Sequence, residues 1–160
     1  MSTVLAADPG SRFGAAIVSN GILVFSACWG LYNTGERDGV RFWRLFHRLA
    51  EVVDVHGPVD VVAVETKGTH GASAKNLKAS FGYIACIKAW AEQQGVTDVR
   101  EVYPPTLKKA ATGNGRADKA QMIRAASVRT GRPVKDDNEA DAICLAFAVS
   151  DEIRKENAEW

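Results

Sequence analysis

The chain has 160 residues, 46% of them hydrophobic and 24% charged, with 20 lysines and arginines against 19 aspartates and glutamates for a net charge of +1. This composition suits one globular domain and excludes a low-complexity tract or an apolar run of membrane-spanning length. Cys28, Cys86 and Cys144 are odd in number and widely spaced in apolar contexts, which predicts free thiols rather than a disulfide framework; with no stretch resembling a signal peptide, a cytoplasmic protein is expected.

In chain order, Thr3–Ala7, Gly14–Ser19 and Ile22–Ala27 read as short strands. Asp8-Pro9-Gly10-Ser11 turns the first into the second, and Asn20-Gly21 is a strong two-residue hairpin signal. Gly30–Gly39 is a polar loop, after which Phe42, Leu45, Phe46, Leu49, Val52 and Val53 recur at helical spacing until Gly57-Pro58. Val59–Val64 is nearly continuous in apolar residues, the pattern of a strand covered on both faces among parallel neighbours. A loop over Gly68–Ser73 leads into a long helix through about Gln94, and Val99–Val102 is a further candidate strand. Pro104-Pro105 opens a short helix interrupted at Gly113-Asn114-Gly115, Ala117–Thr130 is helical, and a final helix runs from about Asn138 to Lys155. A meander followed by alternating α and β segments, with no internal repeat or linker, predicts an α/β fold in one domain spanning 1–160, with the first strand and Val59–Val64 adjacent at its centre.

Three acidic positions punctuate this order. Asp8 ends Val4-Leu5-Ala6-Ala7, Glu65 ends Val59–Val64, and Asp141 closes Asp136-Asp137-Asn138-Glu139-Ala140-Asp141 at the start of the last helix. A carboxylate ending a buried strand is costly to desolvate unless something positive meets it. Two such ends and an acidic helix start form a ligand set for hard divalent cations. His47, His56 and His70 lack zinc-ligand spacing with one another or with the cysteines. Charge is also segregated: residues 105–135 hold eight basic groups and one acidic group, whereas 136–160 hold eight acidic and two basic. A basic block beside a carboxylate cluster is what holding a polyanion over metal ions requires.

Leu5-Ala6-Ala7-Asp8-Pro9-Gly10-Ser11-Arg12, Val61-Val62-Ala63-Val64-Glu65 and Glu139-Ala140-Asp141-Ala142-Ile143-Cys144-Leu145-Ala146 resemble three blocks of the RuvC family of Holliday junction resolvases, within the ribonuclease H-like nucleases. The most specific block is Tyr103-Pro104-Pro105-Thr106-Leu107-Lys108-Lys109 through Gly113-Asn114-Gly115-Arg116-Ala117-Asp118-Lys119, which resembles the family's lysine–Gly-x-Gly–lysine segment. The resemblance spans nearly the whole chain, with little from Val24–Pro58. It implies a ribonuclease H-like mixed β-sheet flanked by helices on both faces. It further implies a homodimeric, structure-selective DNA endonuclease that resolves four-way junctions by paired symmetric nicks, needing Mg²⁺ or Mn²⁺ but no small-molecule cofactor. Asn-Glu-Ala-Asp in so compact a chain is closest in character to phage-encoded or organellar members.

Carried onto this sequence, the resemblance makes Asp8 the bridge between two ions, places Glu65 on one, and places Asp141 with Asp137 or Asn138 on the other. Bacterial members carry an acidic residue or histidine three positions before the last aspartate, where Asn138 stands here. Asp137, four before, shares the helical face of Asp141, although Asp136 or Asp137 equally suits a cap. Lys108, Lys109, Arg116 and Lys119 are the phosphate contacts, with the Gly-x-Gly turn admitting close backbone approach and Lys119 opening a helix whose amides attract anions. Lys67 extends that surface, Lys75 and Lys78 either extend it too or form a solvated helix face, and Arg12 serves either the DNA backbone or its own turn. The family's wedging aromatic after the second carboxylate is missing from Thr66-Lys67-Gly68-Thr69-His70, leaving His70 or Phe81. The helix after Glu65 offers Tyr83, Ile84, Ile87 and Trp90 either to a dimer or to the monomer core. The competing readings are a nuclease for other branched DNA or RNA–DNA hybrids, an inactive junction-binding module, and a sugar-kinase-like phosphotransferase, the last disfavoured by size.

Overall fold

The computed structural model describes residues 1–68 and 71–160. Strands β1 (Thr3–Asp8), β2 (Arg12–Ser19), β3 (Ile22–Gly30), β4 (Val61–Glu65) and β5 (Asp98–Val102) form a mixed sheet in the order β3-β2-β1-β4-β5. β1–β2 and β2–β3 pair antiparallel, while β4 lies parallel to both β1 and β5. The helices are α1 (Gly39–His56), α2 (Ala74–Gln93), α3 (Pro104–Thr112), α4 (Lys119–Thr130) and α5 (Asp137–Ala158). The Asn20-Gly21 hairpin forms as expected, both residues at positive φ (53° and 79°), which matches the twist of the strands they join. β3 runs past Ala27 because Cys28, Trp29 and Gly30 go on pairing with Gly14, Phe13 and Arg12.

The period-2 alternation of the central strands divides the interior into two cores. Val4, Ala6, Val61 and Ala63 face α5 together with Leu107 of α3 and Met122 and Ala126 of α4. Leu5, Ala7, Val62 and Val64 face Leu45 and Leu49 of α1 and Tyr83, Ile87 and Trp90 of α2. Helices thus cover both faces, and β1 and β4, buried on both sides, carry the unbroken apolar runs seen in the sequence. Tyr83, Ile84, Ile87 and Trp90 are 0–8% exposed, so the apolar set offered to a dimer belongs to this second core.

Gly14 sets the distance between α5 and the sheet. It pairs with Asp8 across β1 and β2, and a Cβ built there would stand 2.0 Å from the carbonyl oxygen of Asn138 in the first turn of α5. Only hydrogen at this position lets the helix descend onto β2 beside Asp8. Gly14→Ala is expected to cost about 2 kcal/mol or more and to lower Tm by roughly 5 °C or more. Thermal unfolding checks this, and an unchanged Tm would show that α5 moves aside freely.

Candidate metal centre and its basic flank

Strand parity aims two of the acidic residues at one point. Asp8 follows Ala6 and Glu65 follows Ala63 at a spacing of two, so both carboxylates point to the face that α5 covers. They stand one position beyond Ala7↔Val64, the last pair of the parallel β1–β4 ladder. α5 enters over them, and Asp141, one turn in, completes the group: ligand atoms of Asp8, Glu65 and Asp141 all lie within 4.8 Å of one another. Asp8 is 1% and Glu65 5% exposed, and Asp141 is half-buried. Asp8 Oδ2 and Glu65 Oε2 are buried and have no hydrogen-bond partner among the described residues. Oxygen-only donors, mutual crowding and two buried oxygens unpartnered among the described residues fit a hard divalent cation.

The electrostatics express the same crowding. Burial raises the Asp8 carboxyl above its ordinary value, opposed by the ammonium of Lys67. Glu65 is pushed up to about 8, chiefly by burial and then by Asp8, and Asp141 to about 6 by the same two causes. The unfolded chain loses the Glu65 proton near 4.5 while the folded protein keeps it to about 8, so the native state binds more protons between those values. The stability this contributes is full below pH 4.5 and lost as pH rises through 8. The metal-free protein is therefore expected to show a falling Tm from pH 5 to pH 8 in EDTA, on a slope that Glu65→Gln or added Mg²⁺ flattens. Matched melting curves check this; a slope unaffected by Glu65→Gln would refute the burial argument.

The acidic helix start divides its duties. Asp136 is the N-cap of α5, its Oδ1 accepting from the Glu139 amide at 2.9 Å, and its Oδ2 accepts from Arg12 Nη2 at 2.9 Å. Arg12 is thereby tied to the start of α5 at the edge of the site. Asp137 has no capping duty and lies outside the three-residue cluster; its Oδ2 pairs with Lys119 Nζ at 2.8 Å. Asn138 lines the cleft beside the site and meets Gly14 through its carbonyl. Gly14 was not among the residues read as functional from the sequence, although an isolated glycine within a strand signals close backbone approach.

The basic residues occupy three places. Lys67, two positions after Glu65, reaches into the carboxylate cluster, its Nζ 2.5 Å from Asp8 Oδ1 and 3.9 Å from Glu65 Oε1. Lys108 of α3 is half-buried and close enough to draw down the pKa of both Glu65 and Asp141, while Lys109 beside it is exposed. Gly113 caps α3 in the left-handed region, φ 80°, and the turn delivers an exposed Arg116 and then Lys119 at the start of α4. At that helix start a capping box takes up the Asp118 and Gln121 amides, and the Asp118 carboxylate stands over the first turn. Lys75 lines a cleft of about 520 Å³ next to the site, with Arg12, Arg41, Lys67 and Asn76; Lys78 is exposed on the same helix outside it. His70 lies outside the described residues, and Phe81 is 53% exposed on α2.

A family model, crossover junction endodeoxyribonuclease RuvC, matches residues 4–150. The crossover junction endodeoxyribonuclease RuvC of Halorhodospira halophila is 33% identical over 154 residues, covering 92% of this chain and 90% of its own. Thermus thermophilus RuvC in complex with Holliday junction substrate superposes with a TM-score of 0.84 at 21% identity, over 98% of this chain and 97% of that one. The yeast mitochondrial Holliday junction resolvase superposes with a TM-score of 0.63 at 13% identity, over 99% and 85%. At these identities the two structures attest the ribonuclease H-like fold: a mixed five-stranded sheet flanked by helices.

Proposed function

The chain belongs to the RuvC family of crossover junction endodeoxyribonucleases, and from that premise we propose that it is a metal-dependent nuclease resolving four-way DNA junctions by paired symmetric nicks. One observation carries the reading: three carboxylates within 4.8 Å, two with orphaned buried oxygens, stand beside Lys108 and Lys119. Asp8, Glu65 and Asp141 would hold divalent cations, Mg²⁺ or Mn²⁺, with Asp137 as the outer acidic contact and two ions per site. Bound ions of this kind supply an activated water and stabilise the leaving oxygen of a phosphodiester.

The chain's own residues do the rest. Asp8 and Glu65, fixed on paired strands, would hold an ion without movement of the backbone that carries them. Lys108 places a positive charge next to two of the carboxylates, where a phosphate would add negative charge. Lys109, Arg116 and Lys119 continue this along α3 and α4, and Arg12, Lys67, Lys75 and Lys78 along the cleft side, tracking a DNA backbone. A four-way junction has two-fold symmetry, so a two-fold homodimer is the simplest means of cutting two strands alike. With Tyr83 and its neighbours in the core, the exposed Trp43 and Phe81, next in sequence to the Phe42–Gly82 contact between α1 and α2, are apolar groups that could serve it. Three free cysteines agree with a cytoplasmic enzyme, and no helix among the described residues is long and apolar enough to cross a membrane.

The test is cleavage of synthetic four-way, three-way, flap and RNA–DNA hybrid substrates with Mg²⁺ and with EDTA. Mg²⁺-dependent paired nicks confined to the four-way junction are expected. Equal cleavage of hybrids would identify a broader nuclease, and binding without cleavage an inactive module.

A further inference from the structure

We infer that Lys67 is a resident counter-cation of the carboxylate site, against whose charge an entering divalent ion must compete at Asp8. The inference rests on the reading of Asp8, Glu65 and Asp141 as metal ligands. Three carboxylates within 4.8 Å have Lys67 as the ammonium among them, its Nζ 2.5 Å from Asp8 Oδ1 and 3.9 Å from Glu65 Oε1. One ammonium cannot satisfy this group: among the described residues, Asp8 Oδ2 and Glu65 Oε2 have no partner. Lys67 therefore offsets part of the mutual repulsion of the empty site and leaves oxygens that a divalent ion satisfies better.

An ion held by Asp8 Oδ2 and Glu65 Oε2 would stand next to the ammonium on Asp8 Oδ1, and the repulsion of two cations at that distance weakens the hold of each. The lysine has somewhere to go. Its side chain is 34% exposed and lines the cleft beside the site with Arg12, Lys75 and Asn76, so a rotation about its long stem takes the amine into solvent. Two residues beyond Glu65, just past the end of β4, Lys67 is near enough in sequence to bring its amine to the carboxylates. The arrangement makes Lys67 a determinant of metal affinity and of the stability of the metal-free protein, in opposite directions.

The experiment is Mn²⁺ titration of the intact protein without DNA, read by electron paramagnetic resonance, at one pH for wild type, Lys67→Met, Lys67→Gln and Asp8→Asn. Removing the competing charge is expected to tighten Mn²⁺ binding roughly tenfold in both lysine variants, the screening of a partly exposed pair setting that modest size. In EDTA both should melt below wild type, and Mn²⁺ should raise their Tm by more than it raises that of wild type. Two substitutions of different polarity guard against one that misfolds, since the melting curves report folding directly. Unchanged or weaker Mn²⁺ binding in both lysine variants, with wild type binding and Asp8→Asn not, would overturn the role of Lys67 alone. Wild type binding no better than Asp8→Asn would overturn the metal-site reading and this inference with it.

Discussion

Asp8→Asn, Glu65→Gln and Asp141→Asn are each expected to lower cleavage of a four-way junction by more than about a hundredfold in Mg²⁺ while junction binding persists. Loss of a residue that merely orients a metal ligand costs about 10–100-fold, so loss of a ligand itself should exceed that range. Each replacement keeps the side-chain shape, and none touches the lysines of α3 and α4. Stability separates this loss from misfolding. The buried Glu65 and half-buried Asp141 are acids pushed up to about 8 and about 6, so Glu65→Gln and Asp141→Asn should melt no lower than wild type in EDTA at pH 8. Asp8→Asn is different, because it strips Lys67 of its 2.5 Å partner, and it should gain less. Asp137 pairs with Lys119 outside the cluster, so Asp137→Asn is expected to cost about tenfold and Asn138→Ala less. Single-turnover rates beside gel-shift affinities settle these orders. A variant with near wild-type cleavage strips its residue of the metal-ligand role, and a greater loss from Asn138→Ala transfers the fourth contact to Asn138.

The carboxylates were legible in the sequence because the features that place them are local. An apolar run covered on both faces is visible as such, and a charge at its end has to be explained by what lies beyond. The adjacency of β1 and β4 followed from the same runs, and the Asn20-Gly21 hairpin from two residues able to adopt positive φ. What stayed hidden depends on reach or on choice of partner. Lys67 reads as one more basic residue on a DNA surface until its long stem is seen to bend back to Asp8. Tyr83, Ile84, Ile87 and Trp90 have the same spacing whether a helix faces its own core or a second copy, and only the fold shows that they face Leu45 and Leu49. Between Asp136 and Asp137 at the α5 start, pattern cannot say which caps; Asp136 does, which leaves Asp137 to Lys119.

Replacing Lys108, Lys109 and Lys119 together with alanine is expected to weaken junction binding at physiological salt by about a hundredfold or more. The log–log salt dependence should become shallower by about one unit for each phosphate no longer neutralised. The three lysines should not behave alike when separated. Lys109 is exposed on α3, so Lys109→Ala should lose affinity alone and recover full cleavage at saturating enzyme. Lys108 is half-buried, and its charge is felt at both Glu65 and Asp141, where the reacting phosphate would sit. A fixed charge there acts on the transition state as well as on binding, so Lys108→Ala should keep a rate defect that excess enzyme does not rescue. Lys119 is intermediate: its charge is shared with Asp137 at 2.8 Å, and its removal leaves that carboxylate without its cation close to Asp8 and Asp141. Repulsion among the acids then rises, and Lys119→Ala should combine weaker DNA binding with a lower Tm in EDTA. A triple variant with unchanged affinity and salt slope would make α3 and α4 a solvated face, and the backbone-tracking surface would have to lie on the cleft side, along Arg12, Lys75 and Lys78.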